Sequence, residues 1–198
     1  MGWFGPSKKE VWQQLCNEIG AEFVTKRWAE PRVELPVGPW ILTLDTYTVS
    51  TGQGSVVFTR MRAPFVNPDA FRFTIYRKGL FTELGKLFGM QDIEIGVPDF
   101  DEAFVIKATD EDRIRSLLDD IQIRRLLQQQ PRLRLEVRDR DGAFGPKFPE
   151  LTDELLFQVM GLMKDKELLK GLFDLFATVL ERLVTLGSAT KDDPNVRI

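Results

Sequence analysis

The sequence predicts an α+β fold: a curved antiparallel sheet of about six or seven strands, with an N-terminal helix, short mid-chain helices and a long C-terminal helix across one face. Three observations carry this. Apolar residues recur at every second position in segments between residues 40 and 76. They recur at helical spacing near residues 11–23 and again over 168–184. Proline and glycine clusters separate these stretches. A pleckstrin-like partial barrel capped by the last helix is the alternative architecture. A length of 198 residues fits one domain, assigned to residues 1–187, with residues 188–198 read as a flexible polar tail.

Each element has its own signal. Ser7 followed by Glu10 is a capping box that opens a helix with Val11, Trp12, Leu15, Cys16, Ile19 and Phe23 on one face. Trp40, Leu42 and Leu44 then alternate with Ile41, Thr43 and Asp45, as in a half-buried strand. Gly52-Gln53 suits a two-residue hairpin turn. That turn sets Leu44 opposite Met61 and Leu42 opposite Ala63 on the core side, and Asp45 opposite Arg60, Tyr47 opposite Phe58 and Val49 opposite Val56 on the other. A slip of one residue would set Met61 against Asp45. A third strand places Phe71, Phe73 and Ile75 inward and Arg72, Thr74 and Tyr76 outward. Leu80 to Phe88 reads as a short helix ended by Gly89.

Two short strands are expected around Ile93 and over Phe104 to Ile106. Thr109 is expected to cap a helix with Asp110, Glu111 and Asp112 in its first turn, and a second helical piece is expected after Asp119-Asp120, stopped by Pro131. Leu133, Leu135 and Val137 mark another strand, and Asp141-Gly142 a turn. Leu155 to Met163 is apolar on both faces; it reads as a strand because Asp165 supplies the next helix with its own cap. That helix, from Lys166 to about Leu186, carries Leu168, Leu169, Leu172, Phe173, Phe176, Val179, Leu180, Leu183 and Val184 on one broad face. At 1.5 Å per residue it is about 30 Å long, enough to cross a sheet.

Composition removes most catalytic classes. There is no histidine and one cysteine, so Ser-His-Asp and Cys-His machinery, a histidine or four-cysteine metal site and an internal disulfide are all excluded. Cys16 falls on the apolar helix face, which makes it a buried structural thiol. The start, Met1-Gly2-Trp3-Phe4, has no secretory pattern, and no run reaches the roughly 18 apolar residues of a membrane helix. Gly79…Gly85-Lys86-Leu87 fails as a phosphate loop in its glycine spacing and in lacking Ser or Thr after the lysine. Ser188-x-x-Lys191 lies in the polar tail, where nothing would hold a nucleophile beside a base.

Two charge features remain. Glu83 to Asp120 holds eleven acids against four bases, and Asp92, Asp99, Asp101 and Glu102 could gather a hard cation for a carboxylate-based, metal-dependent hydrolase. Their spacing is not that of an EF-hand loop, and turns and helix caps account for most of them. Residues 54–78 hold Arg60, Arg62, Arg72, Arg77 and Lys78 against Asp69 alone. The strand alternation gathers Tyr47, Phe58, Arg60, Arg62, Arg72 and Tyr76 on one outward sheet face, which Arg132, Arg134 and Arg138 could extend. Arginines among aromatics suit a protein interface or a nucleic-acid or anion site. A net charge of −3 and the partner Asp45 disfavour nucleic acid.

Several runs resemble an uncharacterised family of small bacterial proteins: Leu44-Asp45-Thr46-Tyr47-Thr48, Phe58 to Phe65, Phe71 to Arg77, Gly89 to Ile93 and Phe100 to Phe104. The resemblance covers nearly the whole chain and implies a bacterial, cytoplasmic protein, with no activity or functional residue attached. The expectation is therefore a non-catalytic protein-binding or scaffold domain working through the Arg/aromatic face, with a protein partner or a homo-oligomer, no cofactor and no membrane.

Overall fold

The computed structural model describes residues 5–27, 29–50, 52, 54–79, 92–139 and 148–198. The expected helix over 80–88, the turn at 141–142, Trp3-Phe4 and Gln53 lie outside the described residues. Helix α1 spans Lys8–Ile19, and the Ser7–Glu10 capping box is present in both directions: Glu10 N–H donates to Ser7 Oγ (3.2 Å) and Ser7 N–H to Glu10 Oε2 (2.7 Å). Gly20, left-handed at φ 72°, ends the helix, so Phe23 leaves the helical face and belongs instead to strand β1 (Glu22–Lys26).

The chain continues through β2 (Ala29–Val37), β3 (Trp40–Ser50), β4 (Ser55–Val66) and β5 (Phe73–Arg77). After the undescribed stretch come α2 (Pro98–Ala103), β6 (Phe104–Ala108), α3 (Glu111–Leu118), α4 (Ile121–Gln129), β7 (Arg134–Arg138), β8 (Thr152–Met160) and α5 (Lys166–Thr185). The strands form one open antiparallel sheet of eight in the order β1-β2-β3-β4-β8-β7-β5-β6, slightly more strands than the periodicity suggested. The β3–β4 register is the expected one, with Leu44 opposite Met61, Asp45 opposite Arg60, Tyr47 opposite Phe58 and Val49 opposite Val56.

Three local expectations are corrected. Asp110, not Thr109, caps α3, its carboxylate accepting from Arg113 N–H at 2.9 Å, because Thr109 Oγ1 accepts instead from Arg72 N–H at 3.0 Å. Ile93 makes no strand; it gives one backbone bond to Ile106 (2.9 Å). The stretch from 188 is not free: Ser188 and Ala189 are buried, Ser188 Oγ donates to Asp69 Oδ2 (2.9 Å), and Thr190 N–H donates to Val66 O (3.1 Å) at the end of β4.

All five helices among the described residues bury apolar side chains in the cluster formed by the inward strand residues, among them Leu42, Leu44, Met61, Ile75, Leu135 and Phe157. Helix α5 lies against α4, α1 and α3 and buries eight side chains there, including Phe173 and Phe176; Leu168 and Val184 sit at its margin. Helical packing is thus spent on one face of the sheet, and the other face is the one that carries the charges.

Candidate protein-binding face of the sheet

Alternation along β3 and β4 turns Thr43, Asp45 and Tyr47, and with them Phe58, Arg60 and Arg62, to the outer face. The Tyr47 and Phe58 rings stack at 5.1 Å with an interplanar angle of 13°, and the Arg60 guanidinium stands 4.7 Å from the Tyr47 ring centre. Arg60 grips Asp45 with two hydrogen bonds of 2.8 Å, and Arg62 adds a third at 2.6 Å. Tyr47 O–H donates to Gln158 Oε1 of β8 at 3.2 Å. Burial pushes the Asp45 carboxyl upward, but the Arg60 hydrogen bond and the charges of Arg62 and Arg60 outweigh it and hold the group below its ordinary pKa. Burial raises the Tyr47 phenol, and it lowers the Arg62 guanidinium against the pull of Asp45.

The ion pairs run on across the sheet. Arg138 bonds Glu154 (2.8 Å) and meets Glu136 (3.5 Å), which in turn takes Arg134 (2.9 Å). Glu154 is fully buried and Arg62 only 5% exposed. Arg62 Nε and Glu154 Oε2 have no hydrogen-bond partner among the described residues. Arginines of β4 and β7 therefore alternate with acids of β3, β7 and β8, and the face is a neutralised ladder rather than a basic patch.

Of the six residues expected on this face, Tyr47, Phe58, Arg60 and Arg62 come together. Arg72 does not: three strands away, at the start of β5, it bonds Asp153 (3.0 and 3.2 Å) and Asp139 (2.7 Å). Tyr76 lies opposite Arg134 in the β5–β7 pair. The acids proposed for a metal are also separated by role. Asp101 accepts backbone N–H groups from Ile95, Gly96 and Val97 (2.9, 2.9 and 3.0 Å), Asp92 pairs with Lys107 (3.3 Å), and Asp99 and Glu102 are exposed. No group of three or more metal-ligating acidic, histidine or cysteine side chains occurs among the described residues.

Sequence reasoning missed the exposed apolar side chains of the β3–β4 ribbon and of the chain beside it. β3 and β4 pair as far as Ser50 and Ser55, whereas β8 joins β4 only from Thr59 onward, so the hairpin projects as a two-stranded ribbon. Val49 (42% exposed) stands on its outer face and Val57 (41%) on its inner face. Gly161 N–H donates to Val57 O at 2.8 Å and brings Met160 (60%) and Leu162 (41%) beside it. A cleft of about 240 Å³ opens next to them, lined by Phe157, Val159, Met163 and Leu168 as well. The available signal was length: the two hairpin strands run to eleven and twelve residues, longer than any expected partner.

No protein-family model matches the chain, nor does any curated protein or solved structure. No helix among the described residues is long and apolar enough to cross a membrane.

Proposed function

We propose that this is a non-catalytic binding domain that docks a protein partner with the β3–β4 ribbon and the apolar side chains beside it. The observation that carries the reading is that four of the six large apolar side chains exposed among the described residues lie on the ribbon and the chain beside it: Val49 on its outer face, Val57 on its inner face, and Met160 and Leu162 next to Val57. Soluble surfaces seldom gather such residues without a partner, and the adjoining Tyr47, Phe58 and Arg60 are side-chain types enriched in interfaces. The neutralised arginine ladder favours a protein over a polyanion, since each guanidinium already holds a carboxylate. The runs that resemble a bacterial family support a bacterial, cytoplasmic setting.

A photo-crosslinking residue at position 57 tests this, with the exposed Ile121 as control site. Adducts from position 57 and none from 121 are expected in the native extract, and sedimentation velocity over a hundredfold concentration range tells a second copy from another protein. A strict monomer that crosslinks to nothing from 57 would end this reading.

A further inference from the structure

Among the described residues no helix lies over the outer face of β2–β4, yet Thr43 is 1% exposed and Pro64 is buried. Their cover is the chain itself. From Thr190, bonded to Val66 O, the segment after α5 passes round the end of β4 and reaches the outer face, where Val196, Arg197 and Ile198 line one cleft of about 240 Å³ with Glu34, Ile41 and Thr43. Pro194 is buried, and Val196 and Ile198 are half-buried. The approach is shaped by a local turn: Asn195 is left-handed at φ 53°, a conformation asparagine tolerates, and its N–H donates to Asp193 Oδ1 at 2.8 Å. Arg197 returns to the same carboxylate at 3.1 Å, and Glu34 across the cleft adds to the negative field around it.

We propose that the outer face of β2–β4 is a peptide-binding groove held in cis by residues 193–198. The partner it fits is a segment of the same chemistry: an Asp-Pro-Asn turn followed by two aliphatic side chains that flank an arginine. The aliphatics enter the Ile41/Thr43/Pro64 cleft, and the arginine folds back on the turn's own aspartate beside the Arg32–Glu34 pair. A tethered segment competes at an effective concentration in the millimolar range, so an outside peptide of equal chemistry is excluded until the segment is unseated. This groove stands at the opposite end of β3 from Val49 and does not depend on the ribbon reading.

The test uses the full chain carrying Val196→Asp and Ile198→Asp, and a fluorescein-labelled peptide of residues 192–198 as probe. Fluorescence anisotropy is expected to show saturable binding at least tenfold tighter than to the unaltered chain. A probe bearing the same two aspartates is expected not to bind, and adding Val49→Asp to the variant chain is expected to change nothing. Equal binding to both chains, or none to a variant with native circular dichroism, overturns the groove. A second measurement needs no variant: NMR contacts between the methyls of Ile198 and Ile41 in the unaltered chain are expected, and their absence overturns the proposal.

Discussion

Arg62 reaches Asp45 diagonally across the β3–β4 pair, at 2.6 Å, and so shares a carboxylate whose directly opposed partner is Arg60. Both guanidiniums depend on this one acid for their hydrogen-bonded carboxylate, and Arg62 is the more buried of the two. Removing the shared acid strands a charge where water is scarce. Asp45→Ala is therefore expected to cost about 3–5 kcal/mol, read as a lower urea midpoint at unchanged slope. Asp45→Leu combined with Arg62→Met should recover part of that loss, because the more buried guanidinium goes with the acid, while Arg60, the more exposed of the two, is left against the Tyr47 ring.

The same carboxylate sets an acid limit. Its folded pKa lies below the ordinary value of 3.8, so the stability it contributes is fully present above that value and is lost as pH falls through the lower, folded one. Acid titrations of the natural chain and of Asp45→Asn, followed by near-ultraviolet circular dichroism, should differ in that window. The natural chain loses stability there through this group, and the variant lacks that part of the slope.

Gly171 lies inside α5, and a Cβ there would sit 3.5 Å from Gln130 Nε2 and 3.6 Å from Gln129 Oε1, ordinary contact distances. Nothing in the packing demands a glycine. Gly171→Ala is expected to stabilise by about 0.5–1 kcal/mol through helix propensity. For a chain of this size that is about 1–4 °C in Tm, checked by calorimetry.

Cys16 is buried in α1, and burial raises its thiol pKa. A disulfide-exchange reagent at pH 8 should label the native protein slowly and the urea-unfolded protein within the mixing time. Rapid native labelling would contradict the packing described for α1.

Asp101 bonds three backbone N–H groups ahead of α2. Asp101→Ala should free that loop: amide exchange at Ile95, Gly96 and Val97 rises, and global stability falls by about 1–3 kcal/mol.

Local signals carried much of this fold. The capping box at Ser7, the cap at Asp165 and the alternation that opposes Asp45 to Arg60 all depend on residues close in sequence, and each appears where expected. Strands β1 and β2 were illegible because Pro31 and Pro36 interrupt β2, although Val33, Leu35 and Val37 keep its alternation. The neutralisation of the arginines was illegible for another reason. Glu154 meets Arg138, and stands near Arg62, only through the order β4-β8-β7, which joins segments far apart in sequence. The hold on residues 188–198 fails to show for the same cause: their polarity describes their own solvation, while Val66, Asp69 and Ile41 decide where they lie.

Strand β8 joins the two halves of the sheet, pairing with β4 on one side and β7 on the other. Of the eight strands described in this sheet it is also the last in chain order to leave the ribosome, with about 85 residues between the end of β4 and its own start. At roughly 5–20 residues per second, β4 waits about 4–17 s with one edge unpaired. A bare edge is a template for aggregation, and arginines and proline on that edge discourage it. The waiting strand is the one that bears Arg60, Arg62 and Pro64. Side chains that settle into the ion ladder of the finished sheet thus guard the nascent chain first.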